Sequence, residues 1–235
     1  MSSTAAASGG HRARLTAVQW FRAGVVIDIV SWLLFVVMQA VKGDWLPPQI
    51  SVSQYGVGGN GWIFSLFCLA IAGTTLCMDR ALPTGRLVRV LLVLGALGCL
   101  VMAAVHTDPG GLQQSPRAKI HMVASVFALS AMPIGMCLGV LRGRRLHRLI
   151  PWSLTVFSAV CLVLLLVSAS GIDTLGVGSN ESWAIWQTGA IIAEMVLIVV
   201  QTVASRPQGG ESAHIGSATQ QPAAVPGVTA PRSRS

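Results

Sequence analysis

Six stretches of nearly unbroken apolar residues divide the chain, at about 21–41, 61–78, 87–106, 119–141, 150–170 and 184–204. A helix rises about 1.5 Å per residue, so roughly 20 residues cross a hydrocarbon core of about 30 Å. Each run is close to that length. None alternates with period two, which excludes barrel strands as the spanning element. The second run is the shortest, and the Gly59-Asn60-Gly61-Trp62 segment at its start suits the headgroup region. The predicted fold is an all-α integral membrane bundle of six transmembrane helices, built as three consecutive hairpins over residues 20–205.

The flanks differ in character. Residues 1–19 are polar and rich in Ala, Ser and Gly, and predict a disordered cytoplasmic lead. They do not resemble a signal peptide: the apolar run that follows is too long for an h-region, and no small-residue cleavage site closes it. Residues 206–235 are Pro, Ala, Ser, Gln and Gly without an apolar period, and predict a disordered cytoplasmic tail.

Composition points the same way. Only 10% of the 235 residues are charged and 53% are hydrophobic, whereas soluble domains carry about 25% charge. The mean hydropathy is +0.67. The solvent this chain suits is a lipid bilayer. A net charge of +8 invites a nucleic-acid reading. That reading fails because the cations lie in short clusters between apolar runs, not along one soluble face.

Those clusters set the orientation. Arg12, Arg14, Arg22, Arg80, Arg86, Arg89, Arg142, Arg144, Arg145, Arg148, Arg206, Arg232 and Arg234 fall on one side, and only Lys42, Arg117 and Lys119 on the other. The positive-inside rule then places both termini in the cytoplasm and the loops 42–60, 107–118 and 171–183 outside. The excess of Arg over Lys, with abundant Ala, Val, Gly and Leu, suits a GC-rich bacterium and hence a bacterial inner membrane. Nothing in the sequence sets an oligomeric state.

Cys68, Cys77, Cys99, Cys137 and Cys161 all lie in or beside apolar runs, form no CxxC pair, and read as small packing residues. Gly135, Gly139 and Gly143 follow Pro133 at four-residue spacing, a pattern for close helix approach. Gly56-Val57-Gly58-Gly59-Asn60 and Gly176-Val177-Gly178-Ser179-Asn180 agree at four of five positions. The match is either a trace of hairpin duplication or chance in a Gly/Val-rich chain.

Polar residues inside the spans carry the first candidate chemistry. Asp28 lies in the first span and Glu194 near the middle of the sixth. An ionised Asp at a helix centre costs about 2.5–3.5 kcal/mol on insertion scales, so such groups usually face the bundle interior. Gln187 and Gln201 flank Glu194 at seven-residue spacing, on roughly one helix face. That polar seam either lines a proton or solute path or holds helices together by hydrogen bonds.

The second candidate is the segment joining the third and fourth runs. His106, Asp108 and His121 form a conceivable ligand set for Zn²⁺ with an open position for water. Arg117 and Lys119 nearby oppose it by repelling a cation. Ser53, Tyr55, Asp173 and Glu181 complete the outer polar candidates, and Ser53 with His121 and an Asp can be drawn as a nucleophile triad.

Three of these segments carry a resemblance. Ser51-Val52-Ser53-Gln54-Tyr55-Gly56 ahead of a Gly/Trp helix start, Asp108 after the third run, and His121 opening the fourth ahead of Ala124 and Ser125 resemble the family called domain of unknown function 998. The similarity covers roughly residues 20–205. It implies a six-helix bacterial or archaeal membrane protein with a shared outer site at Ser53, Tyr55, Asp108 and His121, and implies no activity. The family pattern has an Arg beside an acidic or amide residue before the last span; here Glu181-Ser182 stands there, and the Arg contact is lost.

Three functions fit. A structural or interaction protein with a polar extracytoplasmic site around His121 requires no convergence of His106, Asp108 and His121. A membrane-embedded metal-dependent hydrolase acting on lipid requires it. A proton-coupled carrier of small solutes requires Glu194 to face a path past Gln187 and not the lipid.

Overall fold

A computed structural model of the chain describes residues 4–82, 84–111, 114–141 and 149–204. They form six α-helices: α1 (Thr4–Lys42), α2 (Gly61–Ala81), α3 (Arg86–Ala104), α4 (Pro116–Leu141), α5 (Leu149–Ala169) and α6 (Ser179–Ala204). Each contains a stretch long and apolar enough to span a membrane, and no strand occurs among the described residues.

The boundaries differ from the apolar runs in three informative places. Helix α1 starts at Thr4, well inside the polar lead, while its spanning stretch is Ala17–Lys42. Residues added to an existing helix gain a hydrogen bond each without a new nucleus, and Ala5, Ala6 and Ala7 are the best helix formers. Helix α3 stops at Ala104, so His106 belongs to the loop and not to the span. Helix α6 starts at Ser179 and takes Glu181 into its first turn. The tail 206–235 and the arginine-rich connection 142–148 lie outside the described residues.

Consecutive helices pack against one another, and α6 also meets α1, α2 and α4. More than half of the spanning stretch is buried in α2, α4 and α6, against a third or less in α1, α3 and α5. The even helices thus build the interior. The odd ones turn residues such as Leu33, Leu87 and Val163 outward, where lipid tails are as good a solvent as protein.

Without a hydrophobic drive between helices in lipid, association depends on close fit. The tightest approach is between α3 and α4. A Cβ on Gly98 would lie 2.6 Å from the Ala124 carbonyl oxygen and 2.9 Å from the Ala128 nitrogen, and one on Gly95 would lie 2.8 Å from Met132 Cβ. On α4, Gly135 sits against Leu91 and Leu92, and Gly139 faces Val88 and Gln201. Gly143 is outside the described residues. At the α3–α4 contact the glycines that touch backbone are therefore on α3, and the α4 series packs on side chains.

At the α2–α3 turn, Asp79 accepts from Thr84 Oγ1 (2.6 Å) and pairs with Arg89 Nε (3.2 Å). The three longer connections lie at the opposite end, where the described parts of the first and second touch. Gly58 and Gly178, the third residues of the two similar pentapeptides, both have positive φ (93° and 110°). Both precede a helix start, so a shared turn requirement accounts for part of the likeness.

Replacing Gly98 by Val forces a side chain onto the α4 backbone. Unfolding in detergent should show a loss of roughly 1–3 kcal/mol. Wild-type stability would mean that the α3–α4 approach is not as close as described.

Candidate functional site

Each of the three long loops is held by one aspartate shortly after the odd helix ends. Asp44 accepts from the Gln49 and Ile50 amides (2.8 and 3.2 Å) and from the Tyr55 hydroxyl (2.8 Å). Asp108 accepts from the Gln114 and Ser115 amides (3.1 and 2.9 Å) and the Ser115 hydroxyl (2.6 Å). Asp173 accepts from the Leu175, Gly176 and Gly178 amides (3.0, 2.8 and 2.7 Å) and the Ser182 hydroxyl (2.8 Å).

These bonds satisfy loop amides, and those of Asp108 and Asp173 fix where α4 and α6 start. Ser115 caps α4, its Oγ accepting the Ala118 amide (3.1 Å), and Pro116 opens the helix at the position where its missing N–H costs nothing. The Ser115 hydroxyl holds Asp108 below the usual carboxylate range, and the Ser182 hydroxyl does the same for Asp173; the amide bonds add to both. Both carboxylates are committed to the loop.

Tyr55 is 1% exposed. Its hydroxyl lies 2.8 Å from Asp44 Oδ2 and 3.0 Å from Gln39 Oε1. A phenol has one proton, so it donates to the carboxylate, and the Gln39 amide group must turn its NH₂ towards the phenol oxygen. Burial first, then the bond to Asp44, pushes the phenol well above its ordinary range.

The histidines are spoken for separately. Ser65 Oγ donates to the Ala103 carbonyl (2.8 Å), so it must accept from His106 Nε2–H (2.7 Å). Partial burial and the nearby Arg117 cation hold His106 below the usual imidazole range. His121 donates Nδ1–H to the Val105 carbonyl. Phe64 packs on both rings, with centroid separations of 6.3 Å to His106 and 5.9 Å to His121. Among the described residues no three His, Cys, Asp or Glu side chains are grouped as a metal site. His106, Asp108 and His121 are therefore not arranged as the Zn²⁺ set their spacing allowed: a turn that brings two histidines near one surface does not turn their nitrogens to one point. The Ser53 triad is not assembled either. Ser53 Oγ is bonded to Ser51 Oγ (3.2 Å), and a carbonyl takes the place an Asp would hold on His121.

What His121 has left is its Nε2, buried and without a partner. The residue lines a cavity of about 20 Å³ with Ser53, Thr107, Ser125, Trp183 and Gln187. A second cavity, of about 30 Å³, lies against Phe64, Phe67, Cys68, Cys99 and Glu194. Gln187 and Ser125 line both. Gln187 Oε1 accepts the Ser53 amide (3.3 Å), which ties the first loop to α6. Glu194 is 5% exposed, and its Oε1 has no partner. Asp28 Oδ1 and both polar atoms of Gln201 are also buried and unpartnered. Asp28, Gln187, Glu194 and Gln201 thus all face the interior.

Above the first cavity, Trp183 also lines an open vestibule of about 400 Å³, together with Lys42, Gln49, Gln54, Asn180 and Glu181. Gln54 spans the loops here, donating to the Asp108 carbonyl (2.9 Å) and accepting from the Gly110 amide (2.9 Å). Asp173 is committed to its own loop and is not among the vestibule residues. Asp44, Gln39 and Thr107 belong to this region and went unremarked in the sequence, and Lys42, Gln54, Ser125 and Trp183 belong to it without having been singled out as site residues. One signal was present: an Asp followed within three residues by Pro or Gly opens each loop, a turn-forming pattern.

Tyr55 is the only tyrosine, so alkaline titration reads it directly. In the folded protein, tyrosinate absorbance should stay flat through the ordinary range near pH 10 and rise there only after denaturation. A rise near pH 10 in the folded protein would place the phenol in solvent.

The chain matches the family described as "Protein of unknown function (DUF998)" over residues 25–204. No curated protein and no solved structure matches it. The match takes in all of α2 to α6 and most of the α1 span, including every residue that lines the vestibule and the two cavities: the chain belongs to the DUF998 family.

Proposed function

We propose that the protein is a proton-coupled carrier of small polar solutes in a bacterial cell membrane, with both termini cytoplasmic and the vestibule facing out. One observation carries this reading. His121 Nε2 and Glu194 Oε1 are buried without partners beside two cavities that share Gln187 and Ser125 as walls. A buried polar group without a bond costs about 1–3 kcal/mol. Two such groups along one seam are poor scaffolding and good proton sites.

In this reading a proton enters from the vestibule past Trp183 and is accepted by His121 Nε2, which the Val105 bond keeps as the free ring nitrogen. Gln187 and Ser125 bridge to Glu194. A cavity needs about 10–15 Å³ to hold one water, so volumes of about 20 and 30 Å³ suit water and protons and exclude a solute. The solute waits in the vestibule, and its passage requires the bundle to open. The orientation rests on the distribution of cations along the sequence: thirteen of the sixteen Lys and Arg flank the apolar runs on the side of the two termini, and three fall in or beside the loops that the vestibule joins.

A pH jump across proteoliposomes on a solid-supported membrane tests the proton step. The wild-type chain should give a charge displacement that Glu194→Gln reduces at least tenfold. Equal transients from both proteins would overturn the proposal.

Topology has its own test. The five native cysteines are buried and Val177 is exposed. In intact cells, Val177→Cys should react with a membrane-impermeant maleimide. Labelling only after lysis would reverse the orientation.

A further inference from the structure

We infer that the vestibule binds a small zwitterion, its anionic group at Lys42 and its ammonium at Glu181. The inference rests on the proposed function only in taking the vestibule as the entry to the path. Lys42 and Glu181 line the same cavity of about 400 Å³, a size typical of small-molecule sites. The only ion pair among the described residues is Arg89–Asp79. The two opposite charges therefore face one space and do not neutralise each other.

Lys42 Nζ donates to the Val57 carbonyl (3.2 Å), leaving two of its three donors. The Glu181 side chain makes no hydrogen bond in the described structure. Ile50, Val57, Pro109 and Trp183 supply an apolar wall, and the Gln49 and Asn180 side chains supply neutral polar groups.

Charge complementarity selects among ligands. A dianion is repelled by Glu181 and a diamine by Lys42. A singly charged ligand compensates one wall and leaves the other bare. A ligand carrying an ammonium and a carboxylate or phosphate compensates both, and the wall beneath takes a modest apolar part. Free amino acids and ethanolamine phosphodiester headgroups share this chemistry.

Titration calorimetry of the full chain in detergent separates the two sources, with L-leucine and L-serine in one arm and glycerophosphoethanolamine in the other. Acetate and ethylamine serve as singly charged controls. At least one zwitterion should bind tenfold or more tightly than either control. Lys42→Met and Glu181→Gln should each weaken it about tenfold, and the reversed pair Lys42→Glu with Glu181→Lys should recover part of the loss. Binding by the amino acids alone identifies a free solute, and binding by glycerophosphoethanolamine alone identifies a headgroup. Heats that are absent for every zwitterion, equal for the singly charged controls, or unchanged in both single variants would overturn the inference. Glu194→Gln should keep vestibule binding, so a failure of the proton reading shows in the pH jump and a failure of this one shows in the calorimeter.

Discussion

One carboxylate per hairpin holds the loop end of this bundle together. A loop that crosses from helix to helix at a membrane surface carries amides that neither helix satisfies, and lipid offers them nothing. Asp44, Asp108 and Asp173 each gather two or three of those amides and one hydroxyl. Charge-assisted bonds of this kind are roughly twice as strong as neutral ones. By deciding where α4 and α6 begin, they also decide the depth of His121 and Gln187. The vestibule is the space between the end of α1, the first loop, Pro109 and Gly110 of the second, and the first turns of α6, with Gln54 tying the first loop to the second and Gln187 tying the first to α6.

The spans were legible because lipid dictates their length, and the inward face of α6 because seven-residue spacing keeps Gln187, Glu194 and Gln201 in register. The loops were not legible in the same way. Asp108 sits among residues that suit either a ligand set or a helix cap, and only the path of the chain distinguishes them. Asp-Pro-Gly followed by Ser115-Pro116 is in fact turn and cap chemistry throughout. The Tyr55–Asp44–Gln39 cluster joins residues 11 and 16 positions apart across an irregular loop, where no period exists to read. His106 shows a third kind of limit. It closes an apolar run, yet α3 ends two residues earlier and Ser65 of the neighbouring helix takes its Nε2.

The interior distinguishes groups that hold the fold from groups held in reserve. Thr75 and Thr155 hydroxyls return to their own helix carbonyls (2.8 Å each) and cost little. Gln187 is bonded across elements. Glu194 and His121 differ: each is buried, each keeps an acceptor without a partner, and the two stand on cavities with common walls. Packing alone favours replacing such groups with apolar residues of similar volume, since lipid-solvated bundles gain little from lone polar atoms.

The same comparison bears on the competing chemistries. A metal hydrolase needs spare donors converging at the loop end, and there Asp108 is fully occupied, His106 is bound to Ser65, and Phe64 packs against both imidazoles. A scaffold needs polar groups paired, which the three loop carboxylates satisfy and the α6 seam does not. A proton-linked carrier needs fixed loops above and unspent acceptors below, separated by something that can move. Trp183 occupies that boundary, lining both the vestibule and the His121 cavity at the first turns of α6. Because α6 also carries Gln187, Glu194 and Gln201 and touches four other helices, a shift of this one helix would alter the vestibule floor and the Glu194 surroundings together. That coupling between solute and proton is what the carrier reading requires.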